Sequence, residues 1–240
     1  MSTIPKKRKI IFILLLAALP ILLTCTQFSG TEADRPELGH IEDLELIRSK
    51  QFETTITIDK NKDVSLALIR NSVARDHVMD FLTALTGDPV VTEAIIQPAL
   101  ETNVSLSTAF ALAWVESRFT RDVVSRNYSS IDRGLFQLNS KSFPGLTEAD
   151  FFDPYTNARY GIEYLQWCID HGGNEIVALA MYNAGKGRVE KGGTPRITLD
   201  YISLILDYKQ NLEENLLDYL DHVGITVQFV QNQTLIAFDQ

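Results

Sequence analysis

Cysteine and histidine are scarce in this chain: two of the first, Cys25 and Cys168, and four of the second among 240 residues. Their scatter offers no zinc-ligand spacing. Cys168 lies in the helical pattern "GIEYLQWCID", where a small buried hydrophobe is the default reading, and it is given no chemical role. Basic residues are also in short supply, 22 Lys and Arg against 31 Asp and Glu, for a net charge of -9 and a pI near 4.9. Phosphate binding wants clustered cations, so nucleic acid is not the expected partner. No internal repeat and no low-complexity tract is present. What remains is ordinary globular composition, 45% hydrophobic and 22% charged, at a length that suits one domain plus extensions.

The N-terminus is the exception to that ordinary pattern. "KKRK" (6–9) precedes "IIFILLLAALPILLT" (10–24) and then Cys25. A basic cluster before an apolar run reads as a secretory signal, with an uncleaved membrane anchor as the alternative. The run is short for a full span, which needs roughly 20 apolar residues. "LLTC" (22–25) also resembles a bacterial lipoprotein signal, although Thr24 stands where Gly, Ala or Ser is usual. Cys25 would then be the lipidated residue, no disulfide could form, and the fold would rest on its core.

Residues 26–50 are polar and acidic and read as a tether. "TTITI" (54–58) alternates β-branched residues and reads as a short strand. "DKNKD" (59–63) begins like a calcium loop, but Val64 and Arg70 stand where Gly and Glu are required, so a solvated turn is expected. From Val64 to about Tyr208 the pattern is mostly helical. Gly87-Asp88-Pro89 separates two short helices, and Ser105 is a good N-cap for the next. Residues 120–153 read as loop-rich. Helices resume over 157–171, 174–185 and 198–210, the tail "LEENLLDYLDHVG" looks helical, and "ITVQFVQNQTLIAF" (225–238) looks like a hairpin.

The helix after Ser105 ends in "ALAWVESRF" (111–119). It is apolar on two faces, as a helix at the centre of a domain is. Glu116 near its end is therefore a puzzle, because an isolated ionised carboxylate is costly away from water. Either Glu116 faces solvent, or it is held protonated for use as an acid.

Four further stretches bear on that choice. "DRGLFQLNS" (132–140) supplies Asp132, Gly134 and Gln137. "DPYTNARYGIEYL" (153–165) supplies Asp153, Asn157, Gly161, Tyr164 and Leu165. "ALAMYNAGKGRV" (178–189) supplies Tyr182 and Asn183, and "PRITLDYI" (195–202) supplies Tyr201. With Glu116 and Ser117 this series, in this order, resembles the catalytic domain of the soluble-type (Slt) bacterial lytic transglycosylases over roughly residues 89–205. The resemblance implies a lysozyme-like α+β fold, predominantly α-helical, with a small accessory sheet. It divides the chain into a signal, lipoprotein or anchor segment (1–25), a tether and accessory strand (26–75), the catalytic domain (76–210), and a C-terminal helix and hairpin (211–240).

The same resemblance implies cleavage of the β-1,4 bond between N-acetylmuramic acid and N-acetylglucosamine, without water, to leave a 1,6-anhydromuramic end. Glu116 would be the acid and then the base. An apolar pocket raises a carboxyl pKa and keeps it protonated, which is what protonating a leaving glycosidic oxygen requires. Ser117, Gln137, Tyr182, Asn183, Tyr201 and Asp132 would bind the sugar, with Tyr201 also orienting Glu116. The expected partners are peptidoglycan glycan strands and, through the N-terminus, a membrane of the bacterial cell envelope. No cofactor or metal is expected, and the chain is expected to act as a monomer in the periplasm.

Each residue also has a plainer reading: Glu116 as a solvated helix end, Gln137 on an exposed turn, Asn183 beside a helix cap, Tyr201 in a core. The chain departs from the family at Phe136, where Met is usual, and at Ile197, where Glu often stands before Thr198. "ESRF…DRGLFQLNS" further resembles the chicken-type lysozymes, in which an Asp near this spacing is a second catalytic carboxylate. A retaining hydrolase would need Asp132 about 5–5.5 Å from Glu116. A third reading is a peptidoglycan-binding lipoprotein without activity.

Overall fold

In a computed structural model, residues 54–127 and 130–231 are described; all lie in one compact unit spanning 50–240. The signal or anchor segment, Cys25 and the tether lie outside them. The central helix, Leu106–Ser117, begins at Ser105, whose side chain caps the Thr108 amide. Every residue from Leu106 to Ala113 is buried, so the helix is enclosed on all sides over its first two turns.

In chain order the elements are β1 (Thr54–Asp59), α1 (Val64–Arg70), α2 (Arg75–Thr86), α3 (Pro89–Thr102), α4 (Leu106–Ser117), β2 (Val124–Arg126), β3 (Ile131–Arg133), β4 (Leu138–Asn139), α5 (Glu148–Phe152), α6 (Pro154–Gly172), α7 (Glu175–Ala184), α8 (Lys186–Glu190), α9 (Arg196–His222) and β5 (Ile225–Val230). The fold is α+β and mostly helical. The helix starts follow local chemistry. Asp88 and Asp153 cap α3 and α6, each with proline at the first position, where its missing N–H costs nothing. Residues 59–63 form a turn. The Asp59 carboxylate accepts from the Asn61 amide at 2.9 Å, and Asp63 caps α1 through the Leu66 amide at 2.8 Å.

Helix α9 is a single 27-residue helix, about 40 Å at the usual rise. The helical pattern over 198–210 and the helical tail are one element, and the boundary drawn at 210 falls inside it. Its buried residues, Thr198, Ile202, Ile205, Leu212, Leu216 and Leu220, form one stripe. Two polar clamps tie it to the core. Ser107 donates to Glu213. Glu175 accepts from Thr108 at 2.5 Å and from the Lys209 ammonium at 2.9 Å, joining α4, α7 and α9.

The expected accessory sheet is present as two strands: β1 pairs with β5 in register from Thr54–Ile225 to Asp59–Val230. The pairing is parallel, so the helices between them form the connection. The further strand expected at 234–238 lies outside the described residues. A second sheet, antiparallel in the order β2–β3–β4, lies in the stretch read as loop. Strands of three, three and two residues are too short to show alternation.

Candidate active site

Glu116 sits in the last turn of α4, and the chain leaves that helix through two consecutive left-handed residues, Arg118 (φ 55°) and Phe119 (φ 61°). Such conformations cost on the order of 1 kcal/mol or more each for residues with a Cβ. They are held from both sides. The Arg118 guanidinium lies 3.3 Å over the Trp114 ring, which stacks on Tyr208 of α9 at 4.3 Å. Phe119 is buried edge-on against Phe110. The Ser117 hydroxyl lies 2.8 Å from the Leu135 carbonyl and 3.0 Å from that of Ala113. Ser117, expected to bind the sugar, has its one hydrogen committed inside the protein, and the residue is buried.

The Glu116 side chain is half-buried and accepts from the Tyr201 hydroxyl at 2.5 Å through Oε1. Among the described residues no protein group bonds Oε2. Its pKa is raised to about 7. Burial is the largest cause; the Tyr201 hydrogen bond pulls the other way, and the Asp132 charge adds to the rise. The Tyr201 and Tyr182 hydroxyls are pushed well above the usual tyrosine value, by burial first and the Glu116 charge second, so both act as neutral donors.

Asp132 lies on β3 opposite Asn139 of β4. Its Oδ1 accepts from the Asn139 amide and its Oδ2 from the Asn127 amide, both at 2.6 Å. Neither asparagine stands out in the sequence, because their meeting depends on the pairing of the short strands.

The segment after β3 is built around Asn157, fully buried on α6. Its carbonyl accepts from the Phe136 amide at 2.7 Å, and its amide donates to the Arg133 and Phe151 carbonyls at 3.0 and 2.8 Å. Gly134 has φ 79°, and a Cβ there would lie 2.1 Å from the Phe151 carbonyl oxygen. Gly161 leaves the room that the Phe136 ring fills; a Cβ would approach that ring to 2.5 Å. The Tyr182 hydroxyl donates to the Phe136 carbonyl at 3.0 Å. Phe136, the departure from Met, is therefore a packing residue.

These elements place Gln137, itself left-handed (φ 46°), on the wall of a cleft of about 200 Å³ shared with Asn139, Phe143, Tyr164, Tyr182 and Asn183. The Gln137 amide donates to the Val123 and Gly134 carbonyls at 3.0 and 2.9 Å, and its Oε1 is buried without a partner. Asn183 is exposed, and its Oδ1 accepts from the buried Thr198 hydroxyl at 2.7 Å. Ile197, in the position where the family often has Glu, is 75% exposed. Another hollow of about 230 Å³, between α3 and α6, is lined by Gln97, Glu101, Tyr155, Thr156 and Arg159 among others and holds none of Glu116, Gln137, Tyr182, Asn183 and Tyr201. Among the described residues no three His, Cys, Asp or Glu side chains converge to hold a metal ion.

An acid that can carry a proton near neutrality thus holds the Tyr201 hydroxyl, and its charge reaches Tyr182, which lines the cleft. Residues 93–200 match the family described as the transglycosylase SLT domain. Among solved structures the chain is similar to a lytic transglycosylase Slt of Pseudomonas aeruginosa, crystallised as an inactive mutant, at 23% identity and a TM-score of 0.45. That match covers 64% of this chain and 27% of the Pseudomonas chain. The matched segment carries Glu116, Asp132, Gln137, Tyr182 and Asn183.

Proposed function

We propose that the protein is a peptidoglycan lytic transglycosylase that cleaves the β-1,4 bond between N-acetylmuramic acid and N-acetylglucosamine without consuming water. The observation that carries this is the Glu116 carboxyl, enclosed at the end of a buried helix, bonded by Tyr201 and raised to about 7. Such a group gives up a proton to the glycosidic oxygen as the C1–O bond breaks, and the resulting carboxylate then accepts one. The acceptor step takes the proton of the sugar's own C6 hydroxyl while its oxygen bonds C1, closing the 1,6-anhydro ring. Tyr201 stabilises the carboxylate between the steps, and Oε2 is left to face the sugar. Gln137, Tyr182 and Asn183 line the cleft that would hold the glycan. Asp132 lies near enough for its charge to act on Glu116, which favours a hydrolytic lysozyme as the second reading.

Digestion of purified peptidoglycan followed by mass analysis of the muropeptides separates the two. Anhydro ends, lighter by one water than reducing ends, are expected; reducing ends alone would establish the hydrolase. Intact strands with the protein bound to them would establish the binding lipoprotein. We further propose that the protein works in the bacterial periplasm, attached to a membrane through lipid on Cys25. Cys25→Ala should then release it from the membrane fraction, whereas unchanged attachment would identify residues 10–24 as an uncleaved anchor.

A further inference from the structure

The two amides on the cleft wall are held in opposite senses. Gln137 spends its N–H groups on the Val123 and Gly134 carbonyls and keeps an acceptor free. Asn183 does the reverse: its Oδ1 is taken by Thr198, and its N–H groups have no protein acceptor among the described residues. The sense of that bond follows from Thr198. Its side chain is 1% exposed, and its one hydroxyl hydrogen has no other acceptor among the described residues. Were Asn183 to donate instead, the hydrogen would be buried without a partner, at a cost of about 1–3 kcal/mol. Without Thr198, an exposed asparagine has nothing to distinguish its oxygen from its nitrogen, and would present either to a ligand.

We infer that Thr198 is a positioning residue: it fixes the Asn183 amide so that the cleft meets a bound glycan with an N–H donor at that point. Thr198 touches no ligand and acts only through Asn183. The ligand feature that fits a fixed N–H donor is an acceptor oxygen, such as the acetamido carbonyl of an N-acetylated sugar or a sugar hydroxyl. The inference rests on the glycan reading proposed above.

The test uses the full chain and a soluble N-acetylglucosamine oligosaccharide as the binding probe, with peptidoglycan as substrate. Thr198→Val removes the hydroxyl and keeps the shape. It should weaken oligosaccharide binding and raise KM about tenfold, the loss of one well-placed hydrogen bond. The rate at saturating substrate should stay within about twofold, and Thr198→Ser should restore binding. In an Asn183→Ala background, Thr198→Val should have no further effect, since the two residues act as one unit. Independently of any ligand, the Asn183 side-chain amide signals in a nitrogen-15 spectrum should sharpen into a mobile pair in Thr198→Val and stay dispersed in Thr198→Ser. Unchanged signals and binding in Thr198→Val, or additive losses in the double variant, would overturn the inference while leaving the glycan reading intact. A wild-type protein that neither binds nor cleaves glycan would overturn both.

Discussion

Two carboxylates share this site and could hardly be housed more differently. Glu116 comes from the end of a helix enclosed in the core, with a single hydroxyl donor and a pKa raised to about 7 by burial. Asp132 comes from a sheet of two- and three-residue strands, and each of its oxygens accepts an amide hydrogen at 2.6 Å. An apolar wall favours the protonated form of an acid. The helix therefore supplies the group that can hold a proton, and the sheet supplies a fixed neighbour that acts on it by charge. In the reaction proposed, only the first needs to touch the sugar.

Replacing the helical acid should have the largest effect. Glu116→Gln keeps the Tyr201 hydrogen bond and removes the proton, so activity should fall by roughly 10³-fold or more with the fold intact. Muropeptide release and a thermal melt would measure the two; retained activity would remove Glu116 from the chemistry. Next is the support of the sheet-side loop. Gly134→Ala puts a methyl 2.1 Å from a backbone oxygen at φ 79°, where a shift of the loop is unavoidable. A loss of about 3 kcal/mol or more is expected. A variant as stable as the wild type in denaturant would show that the loop beside Asp132 is not rigid.

The same division governs what the sequence discloses. Ser105 and Asp88-Pro89 mark helix starts by local chemistry, and the structure starts helices there, while the helix expected from 157 begins earlier, at Pro154 behind its Asp153 cap. Glu116 was conspicuous because it breaks an apolar run. The sheet side was silent: Asn127 and Asn139 matter only once short strands bring them to Asp132, and no periodicity reports a two-residue strand. The sequence is equally silent on the Ser117 hydroxyl, which turns to the Leu135 carbonyl across the fold. The parallel pairing of β1 with β5 joins segments some 170 residues apart, a distance over which hydrophobic pattern gives strands but not partners.

Moderate effects should come from the two groups that tune Glu116, and they should act in opposite directions. The Tyr201 hydrogen bond lowers the Glu116 pKa, so Tyr201→Phe should raise it and move the high-pH fall of kcat/KM upward. The Asp132 charge raises it, so Asp132→Asn should move that fall downward. Each variant should lose roughly tenfold or less in rate, about 1 kcal/mol, with anhydro products persisting. A near-complete loss in Asp132→Asn with reducing ends as product would make the sheet carboxylate a nucleophile and end the distinction drawn above.

The smallest effect reads the burial of Glu116 without any substrate. Its carboxyl titrates near 4.5 in the unfolded chain and about 7 in the folded one. Between those values the folded state binds more protons, so this group makes stability fall as pH rises through that window. The full linkage for such a shift is about 3 kcal/mol, and partial exposure screens it, so a contribution on the order of 1 kcal/mol is expected. Gln titrates nowhere in this range. Glu116→Gln should therefore gain stability over the wild type at pH 8, and the gain should shrink toward zero near pH 4.5. Denaturant midpoints of the two proteins across that range measure the difference directly, since the titrations of all other groups cancel between them. A gap that does not change with pH would mean that the helix end does not raise its acid.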